Sequence, residues 1–260
     1  MRICFLFISC LFSSALFAQT DSLYSRYIKD WRHFEVYLPA QYNPAKQYRL
    51  VLVLDGQAFG QQVFEQTTQP SIVVSLGDIG LRGHDYSPQL VHHASEAEKR
   101  VDNLGGAAHF SNYLQFELMP FLQKKFPRTK EHTILGHSLG GLFVLYQLQK
   151  YPALFQRYIS LEASTWYDRA NIDSLLRTST HSYKNTSLYI ATANCTNDVN
   201  MTIDQIFKST NLYCELTAPG IRLAQYLATQ PLRSLRCKWE HFPQAQHSSV
   251  TAVALKRCGL

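Results

Sequence analysis

The residues best suited to chemistry stand in the run Gly136-His137-Ser138-Leu139-Gly140, with Gly141 directly after it. A serine hydroxyl attacks a carbonyl carbon effectively only when a base takes its proton and donors stabilise the charge that forms on the attacked oxygen. A G-x-S-x-G run entered by a strand and left by a helix serves both needs. The tight turn holds the serine on a strained, exposed backbone, the glycines let strand and helix pass close together, and the new helix aims its first N–H groups at the developing charge. Thr133-Ile134-Leu135 reads as the entering strand, and Leu142, Leu145 and Leu148 fall at helical spacing up to Pro152.

The partner base in this arrangement is a histidine that follows the last strand. Of the 10 histidines, only His241 and His247 meet that condition. His241 lies within the strand Lys238 to Phe242, where alternation makes it an ordinary sheet residue, so His247, in the loop just beyond, is the expected base. The pair His92-His93 lacks the i, i+4 spacing of a helical metal site. The orienting acid stays open. Asp198, after the strand Leu188 to Ala193, has the usual topological place; Glu162, directly ending the strand Tyr158 to Leu161, has the stronger local context; a Ser–His pair without an acid is the third possibility.

These residues need a sheet to position them, and the chain supplies one. Arg49 to Asp55 and Ser71 to Leu76 are nearly continuous apolar runs, as expected of strands buried on both faces. Glu35 to Leu38 alternates as a short strand. Phe59 to Gln69, Phe110 to Phe126, Asn171 to Arg177 and Ile221 to Thr229 fill the gaps as helices. A polar loop of about thirty residues separates Gly77 from the helix at Phe110, a length that usually marks a functional or partly structured segment. Strands alternating with helices predict an α/β fold with a mostly parallel central sheet and helices on both faces. The 260 residues, 46% hydrophobic and 17% charged, suit one such domain and exclude disordered, collagenous and coiled-coil classes.

The segments Arg32 to Pro39, Leu52 to Phe59, Gly105 to Phe121, Gly136 to Gly141 and Tyr158 to Asp168 together resemble the Putative esterase family of the α/β-hydrolases, which includes enterochelin (siderophore) esterases and esterase D. The likeness runs in order from about residue 30 to the end of the chain. Gln246-His247-Ser248-Ser249-Val250 resembles the family's histidine motif. The resemblance implies a serine carboxylic-ester hydrolase working through an acyl-enzyme, with no metal and no organic cofactor. It implies an oxyanion hole made by the backbone N–H groups of Leu139 and Gln57, worth about 3 kcal/mol each. It places an acid or a serine at the position of Glu162, aromatic residues at Trp166 and Tyr167 that wall a pocket or pack in the core, and an R-x-x-D element at Arg82 and Asp85. That element is expected to pin a loop as an ion pair, with Arg82 as a candidate substrate contact. Relatives continue into a closing helix where this chain stops 13 residues after His247, so altered packing there, with Cys258 as a tie, is expected.

The first residues read as a leader. Arg2 precedes an apolar run too short for a membrane span, and Ala15 and Ala18 fit a signal-peptidase site, which predicts a signal peptide over 1–18, a mature domain over 19–260 and a periplasmic or secreted protein. Export permits disulfides among Cys195, Cys214, Cys237 and Cys258, with three pairings possible and free thiols equally open; the spacing does not suit zinc. The formal charge of +6 is spread thinly, and its densest patch, Lys124, Lys125, Arg128 and Lys130, suits a solvated surface better than nucleic acid. A small-molecule ester is the expected partner, with no nucleic acid and no membrane span after cleavage, and the oligomeric state left open. Siderophore and acylated-carbohydrate esters are the candidate substrates. Thioester or acyl-transfer chemistry on the same residues is one alternative, and a catalytically silent hydrolase fold that binds rather than reacts is the other. Asn185-Thr186-Ser187 also matches a glycosylation triplet, a pattern frequent by chance.

Overall fold

The structure, a computed structural model, describes residues 18–77, 79–100, 103–230 and 232–260. Residues 1–17, which hold most of the expected leader, lie outside them.

Eight strands form one sheet: β1 (Ala18–Ser25), β2 (Asp30–Tyr37), β3 (Tyr48–Val53), β4 (Ser71–Leu76), β5 (Thr129–His137), β6 (Arg157–Leu161), β7 (Ser187–Ala193) and β8 (Arg236–Phe242), in spatial order β1-β2-β4-β3-β5-β6-β7-β8. The β1–β2 and β2–β4 pairs are antiparallel and the pairs from β4–β3 to β7–β8 are parallel. The helices are α1 (Gly56–Gln66), α2 (Arg82–Tyr86), α3 (Ala107–Tyr113), α4 (Met119–Lys125), α5 (Leu139–Lys150), α6 (Asn171–Arg177), α7 (Ile203–Lys208), α8 (Leu212–Thr229) and α9 (Val250–Leu255). A π-helical turn at Leu114–Leu118 joins α3 to α4, so the single helix expected over Phe110 to Phe126 is three pieces of one stack.

The mostly parallel sheet carries helices on both faces, the α/β-hydrolase arrangement. The period-two geometry of β3 sends Leu50, Leu52 and Leu54 into one core and Val51 and Val53 into the other. The first core is closed by α3, α5 and α8, through Phe110, Leu142, Phe143, Leu223 and Leu227. The second is thinner and closed by α1 and α9, through Val63, Val250, Ala254 and Leu255. Burial on both sides is why the central strands read as continuous apolar runs.

Two further elements depart from expectation for identifiable reasons. The strand β1, AQTDSLYS, sits at the sheet edge and is largely exposed, so it carries no apolar alternation to announce it. The helix α8 begins at Leu212, capped by Asn211, well before the expected Ile221, whose late start reflects the breaker signal of Pro219 and Gly220. Here the proline is accommodated inside the helix.

Parallel strands bring the loops that follow β3, β5, β6 and β7 to one edge of the sheet, where ligands bind in folds of this kind.

Candidate active site

Ser138 is the junction between β5 and α5, at φ 60° and ψ −119°. That conformation strains a residue with a Cβ by about 1–3 kcal/mol and persists only where the surroundings impose it. They do so here through backbone: Ser138 N–H donates to the Leu161 carbonyl at 3.0 Å, and the Ser138 carbonyl accepts from Ser164 N–H at 3.0 Å. A Cβ at Gly136 would collide with the Gly140 carbonyl, so no other residue fits where strand and helix cross.

His247, in the turn between β8 and α9, places Nε2 3.1 Å from Ser138 Oγ, within hydrogen-bond distance. A second hydroxyl, Ser164 Oγ, lies 3.2 Å from Ser138 Oγ on the other side. His247 is held from below. Its backbone carbonyl accepts from His137 Nε2 at 2.7 Å, and the two imidazole rings pack with centroids 4.6 Å apart. Desolvation of the ring where it faces Ser138, although the residue as a whole is exposed, and next the neighbouring His137 and Arg82, hold the His247 imidazole below the ordinary histidine range. Burial lowers His137 as well. Both rings are therefore neutral near pH 7, and His247 Nε2 is free to accept a proton.

Neither expected carboxylate touches that ring. Glu162, 6% exposed at the end of β6, is turned into the protein: it accepts from Ala193 N–H and from Thr217 Oγ1, the latter at 3.4 Å. Desolvation pushes its carboxyl up to about 8, against the pull of those two hydrogen bonds. Its proton is therefore held to well above the ordinary glutamate range. Asp198 is exposed, and its carboxylate closes a local turn by accepting from Asn200 N–H at 3.0 Å. Among the described residues no carboxylate lies within hydrogen-bond distance of a His247 ring nitrogen. Of the three arrangements left open by the sequence, the geometry here is that of a Ser–His pair.

The expected oxyanion donors occupy first turns of helices, where N–H groups have no intrahelical acceptor: Leu139 opens α5 and Gln57 is the second residue of α1. The loop carrying Gln57 is fixed by Asp55, at φ 52°, whose carboxylate receives Arg82 Nε at 3.0 Å and Nη2 at 3.1 Å. Tyr86 Oη accepts from Asp55 N–H at 3.1 Å. Arg82 thus pairs with Asp55 rather than Asp85, and it does not line the cavity at Ser138. Asp85 instead meets Arg32 at 3.3 Å and His84 Nδ1 at 2.9 Å. The expected R-x-x-D ion pair is thus corrected: Arg82 is taken by Asp55, and Asp85 by Arg32 and His84.

A cavity of about 610 Å³ opens at Ser138. Glu162, Ser164 and Trp166 form one wall, Asn194 to Asn197 a second, and Asn211, Tyr213, Leu216 and Thr217 from α8 and its cap the third. Trp166 is a wall residue, whereas Tyr167 is core, its hydroxyl donating to the Pro88 carbonyl at 2.6 Å. A disulfide between Cys195 and Cys214 ties the second wall to the third, while Cys237 and Cys258 are free. Closing a loop of 19 residues in this way stabilises a fold by about 3 kcal/mol. His137, Ser164, Asp55 and the Cys195–Cys214 pairing were not singled out by sequence. His137 lay inside the serine motif, but nothing local marked it as a support.

Among the described residues no group of His, Cys, Asp and Glu is arranged to hold a metal, and no helix is long and apolar enough to cross a membrane.

A model of the family described as Putative esterase matches residues 25–244 of this chain. Among curated proteins, YbbA of Bacillus subtilis is 27% identical over 150 residues, 54% of this chain and 59% of its own length. The siderophore enterobactin esterase of Emericella nidulans is 30% identical over 98 residues, 35% of this chain and 32% of its own. The matched stretches thus span less than two thirds of both relatives. Among solved structures, an IroE-like serine hydrolase from Shewanella oneidensis superposes with a TM-score of 0.77 at 22% identity, over 93% of this chain and 78% of that one.

Proposed function

Because the chain belongs to the Putative esterase family, we propose that it is an exported serine hydrolase that cleaves a carboxylic ester through an acyl-enzyme. The observation that carries this reading is the 3.1 Å contact between Ser138 Oγ and His247 Nε2 on a strained strand-to-helix turn.

In the proposed reaction His247 Nε2 takes the proton of Ser138 as Oγ attacks the ester carbon. The carbonyl oxygen gains the charge and is met by the N–H groups of Leu139 and Gln57, aided by the N-terminal end of α5. Collapse expels the alcohol, which takes the proton back from His247, and water repeats the sequence on the acyl group. No metal or organic cofactor enters. Ser164 steadies the nucleophile by donating to Oγ, and His137 takes over part of the orienting work of a triad acid by fixing the backbone of His247. Glu162 contributes to the wall. The Cys195–Cys214 cross-link and the leader over 1–18 support a periplasmic or secreted location, where such bonds persist, and 19–260 is the proposed mature domain.

The test is covalent labelling of residues 19–260 by a fluorophosphonate probe beside Ser138→Ala and His247→Ala. Labelling of the wild type alone supports the reading. A folded wild-type protein that does not label refutes it, and leaves a hydrolase fold that binds without reacting, the second reading that an acid-free His247 favours.

A further inference from the structure

Resting on the esterase reading, we propose that the cavity at Ser138 selects uncharged esters: bodies that carry hydroxyl or amide groups and offer an apolar face, rather than anionic ones. Among the described residues no lysine or arginine lines the cavity, although the chain carries 25 such residues. The excess positive charge is elsewhere. Arg82, the cation whose field reaches His247, is bound in a fork to Asp55 and stands outside the lining.

The lining has a different chemistry. Four carboxamides, Asn194, Asn197, Asn211 and Gln246, face a wall with the indole of Trp166 and the phenol of Tyr213. Asn194 is fully committed, donating to the Asp198 and Pro243 carbonyls and accepting from Thr196 N–H, while Asn211 accepts from Tyr213 N–H and Asn197 from Gln246; the amide N–H groups of Asn197 and Asn211 and the carboxamide oxygen of Gln246 are left for a guest. Carboxamides and hydroxyls bind neutral polar groups, and aromatic faces bind apolar ones. A carboxylate or catecholate entering this space would lose its hydration without a compensating cation. It would also approach Glu162, which among the described residues is the only acidic side chain of the lining, is 6% exposed and has no cation of the lining beside it.

The test uses two acetyl esters of one ring, methyl 4-acetoxybenzoate and 4-acetoxybenzoate, which differ by a carboxylate remote from the scissile bond. With rates corrected for hydroxide hydrolysis, the neutral ester is expected to have a kcat/KM about tenfold or more above the anion at pH 7. Tyr213→Lys, at a rim residue 69% exposed, is expected to narrow that ratio by raising the anion's kcat/KM. Equal values for the two esters, or preference for the anion, overturn the proposal. Ser138→Ala protein titrated with the same two compounds, followed by ligand-observed NMR, reads the charge preference without turnover. Tighter binding of the neutral compound upholds the proposal; equal binding, tighter binding of the anion, or binding of neither overturns it. Wild-type protein that hydrolyses and labels with neither ester nor fluorophosphonate defeats the esterase reading separately, while the titration still decides this one.

Discussion

The two sides of the site are built by opposite means. On the nucleophile side, backbone does the placing: Ser138 sits at a positive φ because Gly136 and Gly140 let β5 and α5 cross at contact distance, and its N–H and carbonyl are both tied. On the acid side, side chains decide. Glu162 also has a positive φ, 41°, and also ends a strand, yet its carboxyl turns toward Ala193 and Thr217 and away from the histidine. A position fixed by backbone survives changes in its surroundings. A position fixed by a rotamer depends on which hydrogen-bond partner the fold puts within reach.

The largest expected effect breaks the backbone side. Gly136→Ala drives a methyl group into the Gly140 carbonyl, and since both belong to the elbow, one of them must move. Displacement of the nucleophile by about 1 Å costs about 100-fold in kcat, and overpacking of this kind lowers stability by about 1–3 kcal/mol. Steady-state kinetics and a thermal melt on the same preparation check both. Near-wild-type turnover would mean that the elbow is softer than its contacts imply.

On the acid side the expected effect appears first in stability. Glu162→Gln keeps the shape and removes the ionisation. In the wild type the folded carboxyl titrates at about 8 and the unfolded one near the ordinary glutamate value. Between those values only the unfolded chain is ionised, so the folded state binds more protons and wild-type stability falls as pH rises through that window. The loss is about 1.4 kcal/mol per pH unit at most, and the Glu162→Gln protein should escape it. Chemical denaturation between pH 5 and 8 measures the difference. Turnover at pH 7 should fall by less than about tenfold, against the several thousand-fold loss expected of an orienting triad acid. A loss of that larger size would restore Glu162 to a triad that forms only with substrate bound.

A smaller effect separates the same possibilities through pH. An imidazole held low by burial and by His137 and Arg82 stays unprotonated in mild acid. The acid limb of kcat/KM is therefore expected below pH 6, since protonating His247 is what removes the base. A carboxylate on its second nitrogen would move the limb upward toward or beyond the ordinary histidine value. The position of the limb in a pH–rate profile thus tells a paired from an unpaired histidine without any mutation.

The contrast also explains what the sequence made legible. The elbow, His247, the parallel strands and α6 were readable because glycine spacing, chain order and apolar runs are local properties. Glu162 and Asp198 could not be ranked, since strand ends name the candidates while rotamers and hydrogen-bond partners choose among them. The family resemblance pairs Arg82 with Asp85, but its partner Asp55 is 27 residues away and is visible only once α2 and the loop after β3 are side by side. His137 shows the same limit, because its role depends on a carbonyl 110 residues further on. Chain order carried the elements that bury area, and it missed the ones that do not, notably the exposed strand β1.

The least effect is expected at Asp198, and that near-silence is informative. Its carboxylate accepts from Asn200 N–H, and its own N–H donates to Thr196 Oγ1 at 3.3 Å, so it shapes the tip of the loop whose base lines the cavity. Asparagine can make the same turn, because its side-chain oxygen accepts from a backbone N–H two residues on just as aspartate does. Asp198→Asn should therefore leave kcat within about twofold and change stability by no more than about 0.5 kcal/mol, as expected of an exposed substitution. The loop is held at its base by the Asn194 carboxamide and the Cys195–Cys214 bond, neither of which the mutation touches. If kcat instead falls by orders of magnitude while KM holds, the loop must swing in the working enzyme to bring Asp198 onto His247. The acid side would then be conformationally gated, whereas the nucleophile side is preset.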